Sequence, residues 1–399
     1  MSTRYLSNLT PLRGIAAMLT VIFHVDIVLS LFQGALIDRN SSQLISRMYL
    51  MVDFFFVLSG FIMCHVYAKN FETSVNGQSF KKFTIARFAR VYPLHLFSML
   101  LTSFFLFLLY RWGVQVTPLL DTENSVYSVI TNLLLLHSMN FHQWFTFTHA
   151  SWSISVEWWM YMIFPFLVAP FMKLKKPGRL MIVALCIGGY FMIGYLLVPL
   201  TTVPDSLSFL RGDGNPPFSL NVSYQFGIFR CMFGFIIGMM VYLAWKDNWA
   251  KKLFSSGYTV LILLAGLFTC MHFAVLDVFT VLFFPFILLS AAYGNKNMNA
   301  LLGTKPMQKL GDWSFSIYLI HQPFLYQATA LMQDPRTTGI DLSGMTMLTS
   351  WLICIGFIIF LLFVSYLSYR FIELPARNYI NRRWGKDKVQ PISVLEVTN

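Results

Sequence analysis

Long apolar runs broken by short polar loops make up most of this chain. A helix that crosses the hydrocarbon core of a bilayer needs about 20 mostly apolar residues. Runs of that kind lie at 9–32, 47–68, 88–111, 152–172, 180–200, 222–245, 256–273, 276–294, 312–332 and 346–372. The pattern predicts an all-α polytopic membrane protein with about ten transmembrane helices. The stretch 126–139 is apolar but short, and reads as an interfacial or re-entrant segment. No internal repeat or low-complexity tract divides the chain, so residues 1–380 are expected to form a single transmembrane domain. Residues 381–399 read as a short basic tail.

Composition sharpens this picture. Of 399 residues, 56% are hydrophobic, only 12% are charged, and phenylalanine alone occurs 40 times. A soluble domain carries about 25% charged residues. So much apolar surface requires lipid as a partner. The net charge of +12 raises nucleic acid as a partner, but the basic residues sit in short clusters between apolar runs, which argues against it. Alternate loops are rich in Lys and Arg: Lys69 to Arg90, Lys173 to Arg179, Lys246 to Lys252, Lys296 to Lys309, and the tail from Arg370. The intervening loops mix Arg39, Arg111, Arg211 and Arg336 with acidic residues. Positive-inside orientation then predicts both termini in the cytoplasm. The first apolar run has no small-residue cleavage site and contains Arg13 and His24, so it is expected to remain as a helix. The five cysteines all lie in apolar runs without metal-ligand spacing, and read as small buried hydrophobes.

Ionisable residues inside spans are the chemical signal. Each costs about 2.5–3.5 kcal/mol at the centre of an inserting helix, so it demands a role. Here they are Arg13, His24, Asp53, Glu157, Arg230 and His321. Any one alone is explained equally well by a structural ion pair or an interhelical hydrogen bond. Arg13 and His24 are eleven residues apart, which places them about 20° apart around a helix and about 16 Å apart along it. His24, Asp53 and Glu157 each fall about two turns from the outer end of their spans. A carboxylate beside an imidazole sets its tautomer and suits a general base acting on a hydroxyl. The competing reading is a polar cluster that locks helices together. At the inner mouth, Arg87 and Arg90 share a helix face near Arg13, with Lys81 and Lys82 before them. Guanidinium groups there suit the phosphates of a cytoplasmic substrate, or equally anionic lipid headgroups. His137, His142 and His149 match no usual metal spacing, and no metal is expected.

Seven segments then read together: LTPLRGIAAMLTVIFHV from Leu9, VDFFFVLSGFIM from Val52, RFARVYPLH from Arg87, SWSISVEWWMYMIFPF from Ser151, FRCMFGFIIGM from Phe229, WSFSIYLIHQP from Trp313 and RFIELPAR from Arg370. In this order they resemble the acyltransferase-three family of bacterial inner-membrane proteins, which O-acylate lipopolysaccharide, exopolysaccharide and related glycans. The resemblance spans about residues 5–380. It implies acyl-CoA, commonly acetyl-CoA, as donor from the cytoplasm and a sugar or glycan hydroxyl as acceptor at the outer face. It implies His24 as the central catalytic residue, with Asp53 and Glu157 as acidic partners and Arg13, Arg87 and Arg90 as donor-binding groups. Arg230 and His321 become candidates for substrate or oxyanion contacts. Glu373, Pro375 and Arg377 match the terminal motif, with a structural role as open as a functional one. Direct attack by the hydroxyl and a covalent acyl-imidazole on His24 both remain open. A secondary transporter or flippase is the rival class, since buried charges and ten helices suit it too. The outer segments 112–151 and 201–221 are where acceptor contacts are expected.

Overall fold

A computed structural model describes residues 6–114, 123–202, 219–334 and 345–385. The described residues are helical apart from turns, loops and a single isolated bridge between Ser223 and Phe226. The chain belongs to no soluble class: seven helices are long and apolar enough to cross a membrane, or eight if one bent pair counts as a span.

The helices, in order, are α1 (Leu9–Ser30), α2 (Met51–Tyr67), α3 (Gly77–Trp112), α4 (Val126–Leu133), α5 (Ser151–Met172), α6 (Lys176–Met192), α7 (Gly227–Lys246) and α8 (Lys251–Phe254). They continue with α9 (Gly257–His272), α10 (Asp277–Val281), α11 (Phe283–Tyr293), α12 (Lys296–Leu302), α13 (Lys305–Gln333), α14 (Met347–Ser368) and α15 (Leu374–Trp384). All ten apolar runs read from the sequence are helical, but they are not equal. α9 has only 16 residues, and the stretch from α10 through α12 bends by 93°. α13 carries polar residues at both ends, which dilute its hydropathy.

Boundaries differ from the expected ones where polar turns extend an apolar core. α3 starts at Gly77, so Arg87 and Arg90 sit well inside a helix of 36 residues rather than at its beginning. The side chain of Asn76 caps it by accepting from the backbone N–H of Ser79, which lets the polar turns stay helical. The short segment 126–139 becomes the eight-residue α4, capped by Ser125 and Ser128, and then an irregular stretch. Leu135, Asn140 and Phe147 in that stretch all have positive φ.

Two helix pairs set the architecture. α1 and α13 run parallel, with Thr10 and Gly14 against Leu310 and Gly311 at one end and His24 against His321 further along. α2 and α7 also run parallel, from Asp53 against Arg230 to Phe61 against Tyr242. Lipid gives apolar helices no reason to associate by hydrophobicity, so close backbone approach through small residues does the work. A Cβ on Gly238 would lie 2.0 Å from the carbonyl oxygen of Val57, and one on Gly60 would lie 1.9 Å from that of Phe235. On the α1–α13 seam, a Cβ on Gly311 would lie 2.1 Å from the carbonyl oxygen of Thr10.

Gly238→Leu is therefore expected to force α2 and α7 apart, costing more than the roughly 1–3 kcal/mol of an ordinary overpacked core. A Cβ on Gly188 would meet nothing within 4 Å, so Gly188→Leu is the matched control. Size-exclusion profiles and thermal unfolding in detergent should show loss of the folded species for the first and none for the second.

Candidate active site

Call the side on which α1 begins the near side, and the opposite one the far side. His24 lies in the far half of α1, and its ring meets that of His321 on α13 with centroids 4.9 Å apart. His24 Nδ1 is 2.8 Å from the carbonyl oxygen of Thr20, one turn back, and 3.3 Å from His321 Nε2. A carbonyl oxygen only accepts, so Nδ1 carries the proton. His321 Nδ1 faces the carbonyl oxygen of Ile317 at 3.3 Å, and by the same logic it is protonated. Its bare Nε2 then shares the Nδ1 proton of His24 with Thr20. The remaining nitrogen of His24, Nε2, keeps its lone pair, and among the described residues it has no hydrogen-bond partner. The side chain is half-buried, while His321 is wholly enclosed. A neutral imidazole with a lone pair at Nε2 and a held Nδ1 proton is what a general base requires.

The carboxylates expected beside His24 are elsewhere. Asp53 is fully buried and takes a two-pronged contact from Arg230 on α7: Nε to Oδ1 at 3.0 Å and a terminal nitrogen to Oδ2 at 2.6 Å. Arg230 spends its other donors on the carbonyl oxygens of Val222 and Tyr49, and lies between the rings of Tyr49 and Trp152. It is 1% exposed, so it is committed to Asp53 rather than aimed at an oxyanion. The physical reason is direct: a guanidinium that far from water needs a carboxylate, and Asp53 is the one within reach.

Glu157 is the acceptor in a second polar cluster. Tyr161 donates to it at 2.6 Å, and Ser59 on α2 donates to the same oxygen. Tyr161 also lies under the guanidinium of Arg87, 5.8 Å from its ring centroid. Glu157 thus looks toward the near side and its arginines, not toward His24.

Each of the three near-side arginines has protein partners. Arg13 donates to the carbonyl oxygen of Gly311 at 3.0 Å. Arg87 donates to the hydroxyl of Tyr67 at 2.7 Å. Arg90 pairs with Glu373, which is buried and also accepts from Ser316 at 2.9 Å. Glu373 therefore ties α3, α13 and the α14–α15 junction together. Arg13 and Arg87 each retain a buried Nε without a partner. Two enclosed guanidinium groups with spare donors fit phosphate oxygens. The face of α1 between Arg13 and His24 is not an open groove, because α13 covers it and Ala17 and Thr20 are buried there.

Polar side chains also lie between the two ends. Tyr161 leads from Arg87 to Glu157 and Ser59, and Ser59 is 3.2 Å from the Tyr161 hydroxyl. The ring centroid of Tyr318 is 6.2 Å from that of His321. Ser153 and Tyr318 are joined by a 2.8 Å hydrogen bond beside it. These hydroxyls were not singled out from sequence, since serine and tyrosine in an apolar run carry no periodic signal. His137 and His142 serve the outer segment itself: His137 bonds Ser151, and His142 bridges Glu123 and Thr131. Residues 115–122 and 203–218 of the outer segments expected to contact the acceptor, and the basic tail beyond residue 385, lie outside the described residues.

Long apolar helices thus enclose a histidine pair and arginines nearer the start of α1, and comparison with known proteins places the chain in a family. Residues 7–370 match the acyltransferase-three family, described as an acyltransferase domain. The chain belongs to that family. It is similar to the peptidoglycan O-acetyltransferase OatA of Listeria monocytogenes, with 21% identity over 97% of this chain and 58% of the relative. It is 23% identical to the O-acetyltransferase OatA of Staphylococcus aureus over 94% of this chain and 58% of the relative. A shorter stretch, 31% of this chain and 61% of the relative, is 36% identical to protein 2 in the picA locus of Rhizobium radiobacter. The chain thus spans about three fifths of the length of these curated relatives. No solved structure matches it.

Removing one half of the Asp53–Arg230 pair strands the other charge, which costs about 3–5 kcal/mol. Arg230→Met and Asp53→Leu should each lower the unfolding temperature in detergent sharply. The double variant should recover most of the loss. A double variant as unstable as its worse parent would show that the pair is not what Arg230 is for.

Proposed function

We propose that this protein transfers an acyl group, expected to be acetyl, from acyl-CoA on the near side to a glycan hydroxyl arriving from the far side. The near side is the cytoplasm, which places both termini there, and the membrane is the bacterial inner membrane. The basic loops support that sidedness. Parallel pairing of α1 with α13, and of α2 with α7, requires an even number of crossings from the first helix of each pair to the second. Ten spans, with α9 and the bent α10–α12 stretch each crossing once, meet that requirement.

The observation that carries the reading is the state of His24: Nδ1 held by Thr20 and His321, Nε2 bare. Arg13 and Arg87, with Arg90 behind them, hold the phosphates of the donor. The pantetheine arm follows the hydroxyl-lined route past Tyr161, Ser59 and Tyr318 to the histidine pair. His24 Nε2 takes the proton from the acceptor hydroxyl as its oxygen attacks the thioester carbonyl. Collapse of the tetrahedral intermediate breaks the carbon–sulfur bond. The proton on Nε2 passes to the departing thiolate, so His24 ends as it began. While His24 is charged, Thr20 and His321 stabilise its Nδ1–H, the part a carboxylate plays in a Ser-His-Asp triad. Asp53 and Arg230 hold the frame, and Glu157 orients Tyr161 and Ser59 along the donor route. Fixing both reactants at one depth contributes through orientation. Membership of an acyltransferase family favours this reading over transport.

Thiol release from acetyl-CoA by purified protein in nanodiscs, with a bacterial envelope glycan extract as acceptor, tests it. Wild type should release thiol in a glycan-dependent way, and His24→Ala should lose about 10²–10⁴-fold while still folding. Full activity in His24→Ala, or no release from any acyl-CoA by wild type, would sink the mechanism. On the same assay, Arg87→Gln should raise the KM for acetyl-CoA about ten-fold or more and leave the glycan KM unchanged, as expected for loss of a charged hydrogen bond to phosphate.

A further inference from the structure

His149 stands just before α5, in the outer segment that packs over the far end of α1. It is 5% exposed and stacks on Phe145, with ring centroids 4.5 Å apart and planes 15° apart. Trp144 and Tyr224 pack beside that stack and against Ile27 of α1 and Leu31 just after it, within about two turns of His24. Burial, with a smaller contribution from the neighbouring His24, holds the His149 ring neutral, with its pKa down at about 3.

A relay on α13 sets its tautomer. The backbone N–H of Ala150 donates to Gln322 Oε1, and a backbone N–H can only donate, so the amide orientation of Gln322 is settled. Gln322 Nε2 then faces the Tyr326 oxygen at 3.2 Å and donates to it. Among the described residues the Tyr326 hydroxyl has no other acceptor within hydrogen-bond distance, so its proton is assigned to His149 Nδ1, 3.3 Å away. Nδ1 accepts, so Nε2 carries the hydrogen. That Nε2 is buried and has no hydrogen-bond partner. A buried N–H without an acceptor costs free energy and calls for an acceptor atom. Phe147, two residues earlier, is held at φ 46°, a strained conformation for a bulky side chain. Gln322 and His321 are neighbours on α13, so the relay and the catalytic pair share one stretch of backbone.

We infer that His149, held as its Nε2–H tautomer by the Gln322–Tyr326 relay, donates a hydrogen bond to an oxygen of the incoming glycan beside His24, with the Trp144–Phe145–Tyr224 cluster forming the wall against which the sugar rests. This rests on the acyl-transfer reading above. His149 is then an acceptor-binding residue, and Tyr326 and Gln322 are positioning residues that act through it. An aromatic wall with one fixed donor suits a sugar ring, which offers an apolar face and hydroxyl oxygens around its edge.

Two measurements test this. Solid-state ¹⁵N NMR of histidine-labelled protein in nanodiscs, with His149→Ala identifying the resonances, should show His149 protonated at Nε2 and bare at Nδ1. Tyr326→Phe should give mixed tautomers. A protonated Nδ1 in wild type overturns the inference whatever the activity. In the thiol-release assay with acetyl-CoA and the envelope glycan extract, His149→Ala should raise the glycan KM about ten- to hundred-fold. The KM for acetyl-CoA should stay as in wild type. His149→Gln, which keeps an N–H donor, should recover much of the loss. Should His149→Ala fail to fold, the rise in glycan KM in Tyr326→Phe carries the test. An unchanged glycan KM, or a fall in kcat alone, overturns the inference while leaving acyl transfer intact. The expected tautomer without any glycan-dependent release by wild type defeats the acyl-transfer reading and this inference with it.

Discussion

A charge in the hydrocarbon core must be paired or it must be working, and that constraint organises this protein. Asp53 and Arg230 satisfy it by pairing. Their contact fastens α2 to α7, and the glycines at 60, 234 and 238 let the two backbones close around it. Arg230 has claimed Asp53, and Tyr161 and Ser59 have claimed Glu157, so neither carboxylate expected beside His24 is left for it. On the proposed mechanism the base is then built from weaker materials: a helix carbonyl and a second neutral imidazole.

That substitution has a chemical logic. A carboxylate beside His24 would be another buried charge to compensate. A carbonyl of the same helix is already present, because a histidine ring can reach the backbone one turn back. His321 completes the arrangement only because α1 and α13 run parallel and closely packed, with Gly14 and Gly311 at their interface. The position of the base therefore depends on glycines about two to three turns away as much as on its own neighbours.

The near-side arginines show the same constraint in a partly open setting. Arg90 is fastened by Glu373, while Arg13 and Arg87 keep spare donors. Fastened and spare donors side by side give a cluster that holds its shape and still has capacity for an anion. The hydroxyls of Tyr161, Ser59 and Tyr318 continue that polar lining toward the histidines, so the seam between α2, α5 and α13 is polar without being charged throughout.

The sequence by itself determined the class: helix-length apolar runs, basic loops on alternating sides, and six ionisable residues too costly to be incidental. It also determined the list of participants, because a histidine or arginine within an apolar run is conspicuous. Helical periodicity placed Arg13 and His24 on one face of α1, and that holds. Periodicity also suggested a carboxylate beside His24, and that did not follow. Equal depth in a bundle does not mean adjacency, and which helix lies next to which is not written in any one helix. Only the tertiary structure decided that Asp53 meets Arg230, that His24 meets His321, and that α13 closes the face of α1. The Gly234–Gly238 spacing was a readable sign of close packing, but it names no partner. The His149 relay was beyond reach for a different reason. Its parts lie on a loop and a helix about 175 residues apart, and a tautomer is set by which atoms meet in space.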